Sequence, residues 1–148
     1  MSQYADGQTG GALDPTRNIN FTGGTDFAQV TVSTPLGQFG YATGAGGVVT
    51  QATSKATAVT LNTNCGKITM NGAALSNGAI VSFTLTNSAI SVGDLLILNH
   101  VATGTVGSYL LNAQCSNGSA VITVTNITGG SLSEAIVIAF AVIDGAVS

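Results

Sequence analysis

AIVSFTLT, residues 79–86, alternates apolar and hydroxyl side chains over most of its length. Val81, Phe83 and Leu85 fall on one face of an extended chain, and serine or threonine occupies the positions between them. This period of two residues is typical of a strand with one buried and one solvated face. The run therefore predicts a β-strand in a sheet that covers a hydrophobic core.

Similar runs lie on both sides of this strand and are separated by turn sequences. Asn117-Gly118 is the strongest hairpin signal, because it joins two strand-like runs. The other runs are Val48–Thr53, Ala56–Leu61, Gly66–Met70, Asp94–Val101, Ser108–Gln114, Ser119–Thr125 and Glu134–Ile143. No segment has a convincing helical period. We predict an all-β fold, a β-sandwich or jelly-roll-like barrel over residues 47–148, with less than about a tenth of helix.

The last run contains the most apolar stretch of the chain, AIVIAFAVI at 135–143. Ile138 and Phe140 fall on one face of this strand, and Ala139 and Ala141 fall on the other. A strand that is apolar on both faces lies centrally in a sheet or has one face covered by another subunit. The stretch is too short for a membrane-spanning helix, which needs about 20 residues.

Residues 1–46 differ in composition from the rest of the chain, and they predict an extended, Gly-rich N-terminal arm. They hold both prolines, and their only convincing strand is AQVTVST, Ala28–Thr34. Aromatic side chains in a segment too Gly-rich to form its own core are candidate anchors on a partner. The candidate capsid or subunit contacts are Tyr4, Arg17, Phe21, Phe27, Phe39 and Tyr41. The alternative is an irregular region that folds over its own sandwich.

Charge is the most unusual property of the composition. Only 6% of the residues are charged, against about 25% in a typical soluble domain, and the net charge is −3. Three basic residues are too few for a protein that binds nucleic acid through phosphate contacts. The high aliphatic content argues against disorder, and two cysteines are too few for a disulfide miniprotein. So few charges suggest that much of the surface is covered.

The residues that could carry chemistry are few and scattered. His100 is the only histidine, and Asp94 would lie about 20 Å away along the same strand, so we expect a hydrogen-bonded histidine near a strand end. Cys65 and Cys115 have no C-x-x-C spacing, which argues against zinc and favours reduced, buried thiols. The run ATGAGG at 42–47 lacks the Lys-Ser/Thr of a phosphate loop and is interpreted as a hinge. We therefore expect no enzyme activity, no metal and no cofactor, and the N-terminal residues show no export signal.

Two segments resemble a pattern that recurs in small structural proteins of tailed bacteriophages. The first is CGKITMNGAALSNGAIVSFTLTNSAISVGDLLILNH, residues 65–100, and the second is GGSLSEAIVIAFAVI, residues 129–143. The proteins of this kind include capsid decoration, or cement, proteins. Similar β modules also occur in phage head fibres and tail appendages.

The resemblance implies a virion protein that is made in the host cytoplasm and placed on the exterior of the capsid. Its partners would be the major capsid protein and further copies of itself, as a homotrimer that stabilises joints between capsomers. Direct contact with nucleic acid or a membrane is not implied. The alternative is a head-fibre or tail-spike module that binds a host receptor or glycan. The copy number per particle separates the two, because a cement protein is present in hundreds of copies and a fibre in tens at most.

Overall fold

The computed structural model describes residues 40, 41 and 43–145, which form eight β-strands. The strands are β1 (Gly46–Thr50), β2 (Val59–Thr60), β3 (Cys65–Thr69), β4 (Ile80–Thr86), β5 (Leu95–Ala102), β6 (Tyr109–Ser116), β7 (Ser119–Asn126) and β8 (Val137–Ile143). The described part of the chain contains no helix, and hence none that could cross a bilayer. The predicted all-β class is confirmed.

The eight strands form two four-stranded sheets. Sheet A has the order β1-β3-β8-β5, and sheet B has the order β2-β4-β7-β6. Most neighbours are antiparallel, but β1 is parallel to β3 and β2 is parallel to β4. Of the two architectures that the sequence left open, this is the β-sandwich. β8 and β7 occupy internal positions in their sheets, while β5 and β6 are edge strands.

The core lies between the sheets and is built from alternate residues of their strands. Phe83 and Leu85 of β4 are buried, as the pattern of residues 79–86 predicted. The buried apolar side chains are Val59, Ile68, Met70, Leu75, Phe83, Leu85, Ile90, Ala120, Ile122, Val124, Ile136, Ile138, Phe140 and Val142. Their contributions from both sheets make one continuous hydrophobic core.

A buried lysine shortens two of the predicted strands. The Lys55 ammonium donates to the carbonyls of Asn71 and Glu134, at 2.7 and 2.5 Å. The Gln51 amide nitrogen donates to the carbonyls of Lys55 and Thr57, at 2.9 and 2.8 Å. These side-chain bonds fold residues 51–58 into a loop, so β1 ends and β2 begins within runs that were predicted to be longer strands.

The Asn117-Gly118 turn joins β6 and β7 in the predicted hairpin. Ser116 pairs with Ser119, and the two residues between them make the turn. Gly118 has a φ of +76°, in the left-handed region where a side chain is disfavoured. Its N–H donates to the Ile90 carbonyl at 2.8 Å, which ties the turn to the segment before β5.

The predicted arm falls almost wholly outside the described residues. Of its candidate contacts, Tyr4, Arg17, Phe21, Phe27 and Phe39 lie outside them, as does the predicted strand Ala28–Thr34. Tyr41 is described, and its hydroxyl donates to the carbonyl of Val142 in β8 while its side chain is partly exposed. The role of the arm therefore stays a prediction.

Candidate interaction surface

The outward faces of the two sheets differ in chemistry, although β7 and β8 occupy equivalent internal positions in their sheets. The outward residues of β7 are Ser119, Val121, Thr123 and Thr125. The outward residues of β8 are Val137, Ala139, Ala141 and Ile143. An internal strand of a sandwich is expected to show polar residues to water, as β7 mostly does. In sheet A, by contrast, all the outward residues of the internal strand β8 are apolar.

Neighbouring strands extend this outward strip into a patch. Cys65, Ala141 and Ile97 lie side by side across β3, β8 and β5, and Leu95 pairs with Ile143 in the next row. Leu95 is 62% exposed and Ile97 is 57% exposed. We call Leu95, Ile97, Cys65, Ala141 and Ile143 the apolar patch. Contiguous exposed apolar area of this kind marks an interaction site more often than scattered single residues do.

Charged side chains border the patch and do not enter it. Lys67 is the next outward residue of β3 after Cys65, and Asp144 directly follows Ile143 in sequence. Asp94, which precedes β5, is half-buried and accepts hydrogen bonds from the N–H groups of Ser91 and Gly145. These backbone bonds lower the pKa of the Asp94 carboxyl. Among the charged residues that the structure describes, Lys67 and Asp144 are exposed, Asp94 and Glu134 are partly exposed, and Lys55 is buried.

The outward face of sheet B is mostly hydroxyl and amide, but it also exposes the side chains of Ile80, Leu110 and Val121. The hydroxyls of Ser82 and Thr123 are 2.8 Å apart across β4 and β7. Beside them, β6 places Asn112 and Gln114 on the same face. This surface can exchange hydrogen bonds with water, and it carries no charge among the described outward residues.

A cluster of polar side chains holds the loop between β5 and β6. The Glu134 carboxylate accepts three hydrogen bonds, from the N–H and hydroxyl of Thr105 at 3.0 and 2.6 Å and from the Tyr109 hydroxyl at 2.8 Å. These bonds lower the pKa of Glu134, with the Thr105 bonds contributing most. Burial, followed by the bond and the charge of Glu134, raises the pKa of Tyr109. Tyr109 therefore stays protonated, and the cluster serves to position the loop.

His100 lies beside this cluster near the end of β5, as expected. Its Nε2 lies within hydrogen-bond distance of the carbonyls of Ala102 and Thr103, and its ring meets that of Tyr109 edge-on at 5.9 Å. An open cleft of about 320 Å³ lies between β5 and β6 and is lined by these rings together with Leu98 and Leu111. The structure does not bring Asp94 to His100, and the described residues contain no group of His, Cys, Asp and Glu that could hold a metal.

Both cysteines are free thiols on different sheets. Cys65 is half-buried within the apolar patch, and Cys115 is half-buried in β6 against the core. Burial raises the pKa of the Cys115 thiol. Both thiols are thus half-buried, whereas the sequence favoured buried thiols.

Comparison with protein-family models, with curated proteins and with solved structures gives no match. A functional argument for this protein therefore depends on the chemistry of its own surface. Sequence reasoning placed the contacts in the arm and missed the apolar patch, although the unbroken run Leu95–Leu98 was a signal that β5 lacks a polar outward face.

Proposed function

We propose that this protein is a capsid decoration protein of a tailed bacteriophage. In this proposal it binds the outside of the head as a homotrimer and stabilises the joints between capsomers. The observation that carries the proposal is how little charge the described body exposes: Lys67 and Asp144 are exposed, and Asp94 and Glu134 are partly exposed. About 25% of the residues of a typical soluble domain are charged, and surface charge keeps the molecules apart in solution. A surface with so few of them suits a protein that works within an assembly.

The segments that resemble phage structural proteins support the proposal by their placement. Residues 65–100 supply β3, β4 and β5, and residues 129–143 supply β8. In sheet A, β3, β8 and β5 are adjacent strands. The two segments, which are distant in sequence, thus form one continuous surface.

The interior of the sandwich suits a static structural role. Asn87 and Asn126 are fully buried, and both make hydrogen bonds through their amide groups. Within the described residues, no buried side-chain nitrogen or oxygen lacks a partner. A fully satisfied interior favours one rigid conformation.

Copy number on purified particles tests the proposal. Gel densitometry and quantitative mass spectrometry should find this protein in hundreds of copies per particle, in a fixed ratio to the major capsid protein. Particles that lack it should release their packaged DNA at a lower temperature than complete particles. A count in the tens, or no protein on the head, would contradict decoration.

The second candidate is a fibre or spike module that binds a glycan through sheet B. The hydroxyl and amide groups of Ser82, Thr123, Asn112 and Gln114 favour it, since sugars are bound by such groups. Sugar sites also use an aromatic ring for stacking, and the outward residues of β4, β6 and β7 include none. We therefore retain decoration, and a low copy number together with binding to host cells would favour the alternative.

A further inference from the structure

We infer that Asn71 and Gly72 form a self-modification site, at which the backbone nitrogen of Gly72 attacks the side-chain amide of Asn71. The product is a cyclic imide that water opens to aspartate or isoaspartate, so the overall change is a deamidation. The inference goes beyond the proposed function and does not depend on it, because it concerns the chemistry of one loop between β3 and β4. It is specific, since the chain contains three Asn-Gly pairs and the structure distinguishes one of them.

Asparagine followed by glycine is the sequence in which this reaction is easiest. Glycine has no side chain to hinder the approach of its own nitrogen to the preceding amide, and its backbone rotates most freely. Asparagine is accordingly one of the thermolabile residues of proteins. The pairs are Asn71-Gly72, Asn77-Gly78 and Asn117-Gly118, and this argument from sequence alone does not separate them.

The first distinction is the glycine nitrogen, which must lose its proton in order to attack. The Gly78 N–H donates to the Asn126 carbonyl at 3.0 Å. The Gly118 N–H donates to the Ile90 carbonyl at 2.8 Å. Within the described residues the Gly72 N–H has no hydrogen-bond acceptor, and Gly72 is exposed. Of the three nitrogens, that of Gly72 is therefore the one left open to reaction.

The second distinction is a cation on the peptide group that joins Asn71 to Gly72. The Lys55 ammonium donates to the Asn71 carbonyl oxygen at 2.7 Å, and the Lys55 side chain is 4% exposed. When the Gly72 nitrogen loses its proton, the negative charge is shared with this same oxygen. An ammonium at hydrogen-bond distance stabilises that charge, and the effect is large where water is excluded. Lys55 thus favours the reactive form of the nitrogen.

A backbone N–H polarises the amide that is attacked. The Asn71 Oδ1 accepts from the Ala73 N–H at 2.9 Å, in an Asx turn that folds the side chain back over the Gly72 peptide. Negative charge develops on Oδ1 when the nitrogen attacks, and a donor already aimed at that atom stabilises it. The Asn71 Nδ2 donates to the Ala52 carbonyl at 3.1 Å, so the side chain is held in this orientation.

The reaction needs only water and ends in a new carboxylate. The Gly72 N–H proton passes to water, and the nitrogen forms a bond to the Asn71 side-chain carbon. The Nδ2 group takes up a proton and leaves as ammonia, which breaks its bond to that carbon and closes the imide ring. Water then opens the ring, at the side-chain carbonyl to give aspartate or at the main-chain carbonyl to give isoaspartate. Either product adds one negative charge in the residue that Lys55 contacts.

Ageing of the full-length folded protein at neutral pH tests the inference. Peptide mapping by mass spectrometry follows the three Asn-Gly pairs, and an isoaspartyl methyltransferase detects the isoaspartate. Asn71 should be modified first, while Asn77 and Asn117 keep their amides, and the modified protein should focus at a more acidic pH. In urea the hydrogen bonds are lost, so the three pairs should react at similar rates.

A matched pair of glycine variants tests the attacking nitrogen. Gly72→Ala should slow the modification of Asn71, because the added Cβ hinders the nitrogen and yet meets no atom within 4 Å in the fold. Gly129→Ala adds a Cβ at a position that is equally open but does not follow an asparagine. It should leave the rate at Asn71 unchanged.

Lys55→Met tests the ammonium. It should slow the modification of Asn71 by about tenfold to a hundredfold, which is the effect of losing one hydrogen bond to a charged group. Asn77 and Asn117 are internal controls, because they stay protected wherever the fold is intact. If the variant loses its fold, all three pairs react together, and the order of reaction in the folded wild type decides the question alone.

The inference is overturned if Asn77 or Asn117 is modified before Asn71 in the folded protein, or if no pair reacts in the time that the urea sample needs. It is also overturned if Lys55→Met keeps Asn77 and Asn117 protected and leaves the rate at Asn71 unchanged. None of these outcomes bears on the copy number per particle, so they are distinct from a failure of the proposed function.

Discussion

At the scale of single residues, Asn126 at the end of β7 holds two loops together. Its amide nitrogen donates to the carbonyls of Leu75 and Gly130, both at 2.8 Å. Its side-chain oxygen accepts from the N–H and the hydroxyl of Thr128, at 2.9 and 2.7 Å. The side chain is fully buried, so water cannot replace these partners if it is removed.

Replacing this amide by a hydrocarbon should therefore be costly. Asn126→Leu removes these side-chain hydrogen bonds from a fully buried position, and a polar group left unsatisfied in such surroundings costs about 1–3 kcal/mol. We expect the free energy of unfolding, measured in urea, to fall by about 2–4 kcal/mol. The control is Asn112→Leu, which makes the same change on the exposed face of sheet B and should have little effect. Equal unfolding midpoints for the two variants would show that the amide is dispensable.

Lys55 makes the free energy of unfolding depend on pH, and the direction of this dependence can be predicted. Burial lowers its pKa below the ordinary value of 10.5, and the charge of Glu134 opposes this in part. The folded protein thus binds this proton less tightly than the unfolded chain does. The contribution of Lys55 to stability is therefore smallest at neutral pH and rises as the pH passes through its lowered pKa towards 10.5.

A comparison with Lys55→Met isolates this contribution from other groups that titrate in the same range. Urea unfolding at several values between about pH 7 and about pH 10 should show the wild type gaining stability relative to the variant as the pH rises. A difference that is constant, or that falls with pH, would mean that the buried ammonium is not destabilised by its surroundings.

At the scale of the elements, Glu134 determines how the β5–β6 loop is held. Thr103 in this loop has a φ of 57°, which is unusual for a β-branched residue. Its hydroxyl donates to the Ala135 carbonyl at 2.5 Å, next to the Glu134 bonds to Thr105. Hydrogen bonds to the segment that precedes β8 thus fix the conformation of the loop.

Removing that carboxylate should loosen the loop without unfolding the sandwich. In Glu134→Ala, hydrogen exchange at the Thr105 amide should become faster, while amides in β7 keep their protection. In the wild type, the same loosening should appear as the pH falls through the lowered pKa of Glu134, because only the ionised form accepts all three bonds. Asp144→Ala, which removes an exposed carboxylate elsewhere, is the control. Unchanged Thr105 exchange in Glu134→Ala would mean that other contacts fix the loop.

The strands could be predicted from sequence because their signal is local. The two-residue period of Ala79–Thr86 and the Asn117-Gly118 turn both report on neighbours along the chain. The loop at 51–58 could not be predicted, since Lys55 bonds to the carbonyls of Asn71 and Glu134, which are far away in sequence. No periodic pattern encodes such contacts.

At the scale of the whole molecule, the sheet order decides what the surface presents. The sequence predicted that Ala135–Ile143 would be central in a sheet or covered on one face by another subunit. Its central position in sheet A is now established, whereas a covering subunit stays a prediction. The patch itself could not be predicted, because it forms only when Ile97 and Cys65 are brought to either side of Ala141.

The proposed attachment to the head is expected to depend on the N-terminal arm. Deleting residues 1–27 should leave a soluble, folded β body, because the two sheets and their core lie in residues 46–143. The shortened protein should bind empty heads much more weakly than the full chain. Its β content by circular dichroism should be retained, which separates lost attachment from lost folding.

The energetics of an arm explain why the deletion should have a large effect. Each residue that becomes ordered on binding costs about 1–2 kcal/mol of conformational entropy. One buried aromatic side chain returns only about 1.5–3 kcal/mol, so a single anchor cannot hold the arm and several must act together. The deletion removes Tyr4, Phe21 and Phe27 along with Arg17, and it leaves Phe39 and Tyr41. If the shortened protein decorates empty heads to wild-type occupancy, the arm is not the attachment device, and the loops or faces of the sandwich must bind the capsid.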